Sequence, residues 1–113
     1  MRITQKPILL KLKHKNRGNT LLGEAIDDLI TTIESKNWRS KADVLKDRPD
    51  ADQVHGDGFY FFDINIHRTL ILIEVGADGE ATVVWAGTHV EYEHVFKNNK
   101  ATVKKWLSNK GWI

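Results

Sequence analysis

The sequence contains no cysteine and only two prolines among its 113 residues. The absence of cysteine excludes disulfide bonds, thiolate nucleophiles and zinc sites with thiolate ligands, so catalysis must come from other side chains. No run of apolar residues approaches the length that spans a bilayer, and the first residues lack the hydrophobic segment of a signal peptide. We therefore expect a cytoplasmic protein with no membrane partner.

Acidic residues are missing from both ends of the chain. Residues 1–20 and 97–113 carry eleven lysines and arginines and no acid, whereas all 15 acids lie between Glu24 and Glu93. If the two ends converge in the fold, they form one basic surface suited to a polyanion. The alternative is that these side chains simply cover solvated helix faces. The candidate residues for the basic surface are Lys11, Lys13, Lys15, Arg17, Lys104 and Lys105.

The length and composition predict one globular domain spanning residues 1–113. Apolar residues make up 41% of the chain and charged residues 28%, which lies in the range of folded proteins and argues against disorder or a fibrous repeat. A chain of this length can bury one modest core.

The first half of the chain reads mainly as helix. A short strand around Ile3 precedes a helix that begins at Pro7, because proline is tolerated in a first helical turn. Apolar residues recur at three- and four-residue steps from Leu22 to Ile33, which predicts an amphipathic helix of roughly four turns. Ser40 is positioned to cap a short third helix. The polar segment 50–58 is typical of a loop.

The second half reads mainly as sheet. Segment 59–66 alternates as a half-buried strand whose inward face includes Ile66, and segment 68–75 is apolar on both faces and therefore more central. A turn at 77–79 leads back along 81–85, which completes a three-stranded antiparallel meander.

Two helices are expected after the meander. Thr88 and Glu91 have the spacing of a capping box, so the third strand should run directly into a helical turn. A last helix follows through Trp106 to Gly111. The expected fold is therefore α+β, with N-terminal helices packed on a small antiparallel sheet and a C-terminal helix.

Several fragments, taken in order and spacing, resemble the HigB family within the RelE-like toxins. The resemblance spans roughly Trp38 to Val95, and its most specific piece is the run from Gly87 to Tyr92. The other pieces are Trp38 with Ala42-Asp43-Val44, Pro49 to Asp52, Phe62-Asp63-Ile64 and Arg68. The residues past Tyr92 read as a lysine-rich helical extension of a RelE-like domain.

The resemblance implies a toxin that cleaves messenger RNA, often at the ribosome, and that is restrained by a HigA-like helix-turn-helix antitoxin. The implied chemistry uses neither a metal nor another cofactor, because the RNA's own 2′-hydroxyl attacks the adjacent phosphorus. The protein must then assist two proton transfers and stabilise a doubly charged phosphorane-like state. On this interpretation the basic residues above bind RNA.

The resemblance directs attention to three candidate catalytic residues. His89 is the natural acid or base because its unperturbed pKa lies near neutrality, and Tyr92 lies three positions further, on the same side of a helical turn. Arg68 can offer a bidentate fork to phosphate. Counting outward from the turn at residue 78 makes Arg68 and Thr88 neighbours across the ladder, so Arg68 and His89 should share one edge of the sheet.

Other interpretations of these residues remain open. Glu91 is a secondary catalytic candidate, because the capping box already explains it. His89, Glu91 and His94 could bind a metal, but they lack the spacing of known zinc motifs. His67 and His94 are expected at the surface. The alternative function is a non-catalytic RNA- or ribosome-binding module that retains the fold.

Overall fold

The computed structural model describes residues 1–56 and 58–113, and within them the chain forms an α+β fold of five strands and five helices. No helix among these residues is both long and apolar enough to cross a membrane. The elements follow one another as β1 (Arg2–Thr4), α1 (Pro7–Lys15), α2 (Thr20–Ser35), α3 (Lys41–Asp47), β2 (Asp52–His55), β3 (Phe59–Ile64), β4 (His67–Glu74), β5 (Glu80–Thr88), α4 (His89–Phe96) and α5 (Lys100–Asn109).

The strands form one mixed sheet in the order β1-β5-β4-β3-β2. The predicted meander of β3, β4 and β5 is confirmed, and β4 is central as expected. The prediction of a purely antiparallel sheet is wrong, because β1 pairs parallel to β5 at one edge. The loop prediction for residues 50–58 is wrong over Asp52–His55, which pairs with β3 as a polar edge strand and buries only Val54. Residue 57 of that segment lies outside the described residues.

Helices cover both faces of the sheet. On one face Leu9 of α1 and the apolar stripe of α2 pack with alternate sheet residues, among them Tyr60, Phe62 and Ile64. On the other face α4 and α5 pack on Phe59 and Phe61. Because both faces are covered, β3 is buried on both sides rather than half-buried as its alternation predicted.

The strand predicted to include Ile66 ends earlier, at Ile64. Asn65 adopts a left-handed backbone conformation with φ of 63°, which turns the chain towards β4. Ile66 is therefore not an inward-facing strand residue, and 67% of it is exposed.

The two basic ends of the chain lie on opposite faces of the sheet, so the predicted single basic surface is wrong. Leu9 anchors α1 in the cluster on one face, whereas Val103 and Leu107 anchor α5 in the cluster on the other. A helix directs its polar side chains away from its buried stripe. The lysines of α1 and α5 therefore point away from the sheet in opposite directions.

A bulge sets the register of β4 and β5. Leu70 pairs with Trp85 while Ile71 pairs with Val83, so β5 carries one additional residue, Val84. Beyond the bulge Arg68 pairs with Gly87 and His67 pairs with Thr88. Arg68 and Thr88 are thus near neighbours across the ladder, as predicted, and Arg68 lies beside the start of α4.

Gly58 is the position at which the hairpin between β2 and β3 tolerates no side chain. Its φ is +90°, its carbonyl accepts a 2.8 Å hydrogen bond from the amide of Ile73, and a Cβ there would collide with the carbonyl oxygen of Ile73. Both the left-handed backbone and the collision oppose any substitution.

We expect Gly58→Ala to lower the free energy of unfolding by about 2 kcal/mol or more, because strained backbone and overpacking each cost roughly 1–3 kcal/mol. Gly18→Ala is the matched control, since a Cβ at Gly18 meets nothing within 4 Å. Urea denaturation of both variants measures the difference. Equal stabilities would contradict this account of Gly58.

Candidate active site

An open cleft of about 550 Å³ lies at the end of the sheet where β5 runs into α4. Its lining combines residues from the β3–β4 turn, from β4, and from α4 and the segment that follows it. All three predicted catalytic residues, Arg68, His89 and Tyr92, line this cleft. The structure therefore brings together side chains that are separated by up to 24 positions in the sequence.

The capping box at Thr88 fixes the start of α4. The Glu91 carboxylate accepts a 3.0 Å hydrogen bond from the Thr88 amide, and the Thr88 hydroxyl accepts one of 3.0 Å from the Glu91 amide. The bond from the Thr88 backbone is the main cause that lowers the pKa of Glu91, and nearby Lys15 acts in the same direction. The capping interpretation of Glu91 is confirmed, and Glu91 does not line the cleft.

Arg68 is held in place by a carboxylate and by aromatic rings. Its Nε donates a 2.9 Å hydrogen bond to Asp63, which lies opposite it in the ladder, and its Cζ lies 4.6 Å from the ring centroid of Tyr92. Its side chain is only 17% exposed. Within the described part of the chain the two terminal nitrogens have no hydrogen-bond partner, so they remain available to an anion in the cleft.

Tyr92 connects Arg68 to His89. The rings of His89 and Tyr92 stack with centroids 5.7 Å apart and planes inclined by 23°. Tyr92 is only 3% exposed because it packs edge-on against Phe61 at 4.9 Å, and its hydroxyl donates a 2.9 Å hydrogen bond to Asn98. The predicted common side of His89 and Tyr92 is confirmed.

His89 is the most accessible member of the group. Its side chain is 59% exposed, and its Nε2 lies 3.1 Å from the Glu93 carboxylate, one helical turn away. The Glu93 carboxylate in this position orients the imidazole ring. The arrangement can therefore exchange a proton with a group bound in the cleft.

The sequence interpretation missed two side chains that line the cleft, Glu93 and Asn98. The four-residue spacing between His89 and Glu93 was visible on the predicted helix and could have identified the pair. Asn98 had no such signal, because it lies in a polar connection between helices. Lys97 and Asn98 both have left-handed backbone conformations, with φ of 55° and 47°, and only this turn brings the Asn98 amide to Tyr92.

His67 is buried, which contradicts its predicted surface position. It is 4% exposed, and neither ring nitrogen has a hydrogen-bond partner among the described residues. Strand alternation directs its side chain away from Arg68, towards the face that α1 and α2 cover. Burial lowers the pKa of His67, which favours the neutral ring. His94 is exposed as predicted.

The predicted RNA-binding side chains do not form one group. Lys13 is paired with Asp27 at 2.9 Å, whereas Lys11, Lys15 and Arg17 are exposed on or just after α1. Lys104 and Lys105 are exposed on α5, on the other side of the sheet. As for the alternative metal interpretation, no three histidine or acidic side chains gather as potential ligands within residues 1–56 and 58–113.

Comparison with known families assigns the chain to a family. The family "HigB_toxin, RelE-like toxic component of a toxin-antitoxin system" matches residues 23–95. The chain belongs to the HigB family of RelE-like toxins. No curated protein matches the chain. The matched region of this HigB-family toxin contains Arg68, His89 and Tyr92, whereas α1 and α5 lie outside it.

We expect Glu91→Ala to destabilise the fold by roughly 0.3–1 kcal/mol at neutral pH, the usual contribution of a carboxylate in a first helical turn. Because folding lowers the pKa of Glu91, its contribution is present above the unfolded pKa and is lost as the pH falls through the folded pKa. Thermal unfolding at neutral and acidic pH should show the two proteins converging in acid. Glu93→Ala, on the same helix, is the control, and an equal loss in both variants would contradict the capping role.

Proposed function

We propose that this toxin is an endoribonuclease that cleaves messenger RNA, at the ribosome, by attack of the RNA's 2′-hydroxyl on the scissile phosphate. The observation that carries the proposal is the stacked group of Arg68, Tyr92 and His89 in one open cleft. The group combines a cation that fits phosphate with two side chains that can transfer protons.

The proposed reaction forms a bond between the 2′-oxygen and phosphorus and breaks the bond from phosphorus to the 5′-oxygen. One protein group removes the 2′-hydroxyl proton and another gives a proton to the leaving oxygen, so the products carry a 2′,3′-cyclic phosphate and a 5′-hydroxyl. These steps need charge stabilisation and proton transfer, which the side chains of the cleft supply without a metal or another cofactor.

Each residue has a distinct proposed role. The terminal nitrogens of Arg68 bind the non-bridging phosphate oxygens and stabilise the charge of the transition state, while Asp63 holds the guanidinium in place. His89, oriented by Glu93, performs one of the proton transfers. Tyr92 supports the His89 ring and, with its hydroxyl held by Asn98, is the second candidate for proton transfer.

The second candidate function is a non-catalytic RNA- or ribosome-binding module. The burial of Tyr92 and the bond between its hydroxyl and Asn98 favour this alternative, because the hydroxyl must leave a partner before it can transfer a proton. No lysine lines the cleft within the described part of the chain, so catalysis by several lysines has no support there. Cleavage assays separate the two functions directly.

We expect His89→Gln or Tyr92→Phe to lower cleavage of messenger RNA by roughly 100- to 10,000-fold, the usual contribution of general acid–base groups. His94→Gln is the matched control, because His94 is exposed on the same helix and outside the cleft. Cleavage is measured with and without ribosomes, and circular dichroism checks that the variants fold. Full cleavage by the double variant of His89 and Tyr92 would refute these roles.

The family assignment also implies an antitoxin, and we propose a HigA-like helix-turn-helix protein encoded beside the toxin. Expression of the wild-type chain alone should slow bacterial growth and translation, because an unrestrained ribonuclease depletes messenger RNA. Coexpression of the adjacent protein should restore growth, and the double variant of His89 and Tyr92 should be harmless. Unimpeded growth during strong expression of folded wild-type protein would contradict the proposal.

A further inference from the structure

A second cleft, of about 500 Å³, lies at the β2 edge of the sheet, between the start of α3, strand β2 and helix α5. We call it the basic cleft, because Lys41, Lys100 and Lys104 line it together with polar atoms of β2. No acidic residue lines it within residues 1–56 and 58–113. The three lysines are exposed and form no ion pair with any described residue.

The lysines of the basic cleft gather because α5 packs beside β2. Val103 of α5 shares the apolar cluster that contains Val54 of β2, which brings the exposed side of α5 next to the edge strand. Lys100 and Lys104 lie four residues apart and therefore on one side of the helix. Like charges at this spacing destabilise a helix by a few tenths of a kcal/mol. A bound polyanion would offset this repulsion, because each lysine would be attracted to the negative charges of the ligand.

A small cavity of about 90 Å³ connects the basic cleft to the candidate active site. It shares Val54 and Lys100 with the basic cleft and shares Tyr92 and Asn98 with the active-site cleft. The three depressions therefore adjoin one another across the α4–α5 face of the sheet, and we call them together the track. The track runs from the terminal nitrogens of Arg68 past Asn98 and Asp52 to the lysines.

We propose that single-stranded RNA lies along this track, with the scissile phosphate at Arg68 and neighbouring phosphates at Lys41, Lys100 and Lys104. The inference rests on the proposed RNA substrate and adds a binding site of which two lysines, Lys100 and Lys104, lie outside the family match at residues 23–95. The neighbouring cleft, for which we propose phosphate binding, favours RNA over an acidic protein as the occupant. Three lysines beside the track that form no ion pair with a described residue suit a ligand with one negative charge per nucleotide.

The track predicts that affinity depends on the length of the RNA. A tetranucleotide carries about three phosphodiester groups, too few to contact Arg68 and the three lysines together, whereas a dodecanucleotide carries enough for all of these cations. The lysines should therefore contribute more to binding of the longer strand. Their contribution should fall with added salt, since each neutralised phosphate of a single strand adds about 0.7 to the slope of log affinity against log salt.

The test compares the double variant Lys41→Gln, Lys104→Gln with the control Lys46→Gln, Lys110→Gln. The control removes the same charge from α3 and from the C-terminal cap of α5, at exposed positions outside the basic cleft. Fluorescence anisotropy measures binding of tetramer and dodecamer RNAs with 2′-O-methyl groups, which block cleavage. We expect the test variant to bind the dodecamer roughly tenfold more weakly at about 0.1 M salt, with a slope reduced by about 1.4. Tetramer binding should weaken less than dodecamer binding, and the control variant should change by less than about twofold.

Three results would overturn the inference. Equal weakening in the test and control variants would mean that only overall charge matters, and an equal effect on tetramer and dodecamer would place the lysines outside a length-dependent track. Weaker binding of the cognate antitoxin with unchanged binding of RNA would assign the basic cleft to a protein partner. Lysine-dependent binding of the dodecamer without cleavage of unmodified RNA would support the track while refuting the proposed catalysis.

Discussion

The pairing of β4 with β5 is the interaction on which the candidate site depends, because it fixes both what lies beside Arg68 and where α4 begins. The ladder ends with His67 opposite Thr88, and Thr88 immediately caps α4 through Glu91. Gly87, opposite Arg68, has no side chain, and a Cβ there would approach the Trp85 ring to 2.7 Å. Because α4 begins directly after β5 with no linker between them, its first turn holds the rings of His89 and Tyr92 at the end of the sheet.

Burial of both sheet faces gives neighbouring positions of β4 opposite environments. Arg68 lies on the α4 face, where the rings of Phe61 and Tyr92 flank its guanidinium and Asp63 neutralises part of its charge. His67 lies on the other face, with no hydrogen-bond partner for its ring among the described residues. The rings of Phe61 and Tyr92 and the ion pair with Asp63 thus hold the guanidinium of Arg68 at the cleft, and they leave its terminal nitrogens accessible.

The basic residues at the two ends of the chain have different partners in the fold, although the two ends look alike in the sequence. Three bases near the N-terminus are engaged by acids of the middle segment, in the pairs Arg2–Glu80, Lys6–Glu34 and Lys13–Asp27. Lys100 and Lys104 of α5 have no such partner within the described residues. The bases that remain available beside the active-site cleft therefore include those of α5, although both ends look equally basic in the sequence.

Short-range interactions could be predicted from the sequence, and long-range ones could not. The periodicity of α2, the cap at Thr88 and the turn after β4 involve residues a few positions apart, so they are correct as predicted. The family resemblance pointed to Arg68, His89 and Tyr92 as candidates, and the fold brings these three residues to one cleft. Four features depend on which distant helix covers which face of the sheet: the strand β2, the burial of His67, the contact with Asn98 and the opposite placement of the basic ends. Only tertiary packing decides this arrangement. A local sequence pattern indicates that a face is apolar, but it does not indicate which element buries that face.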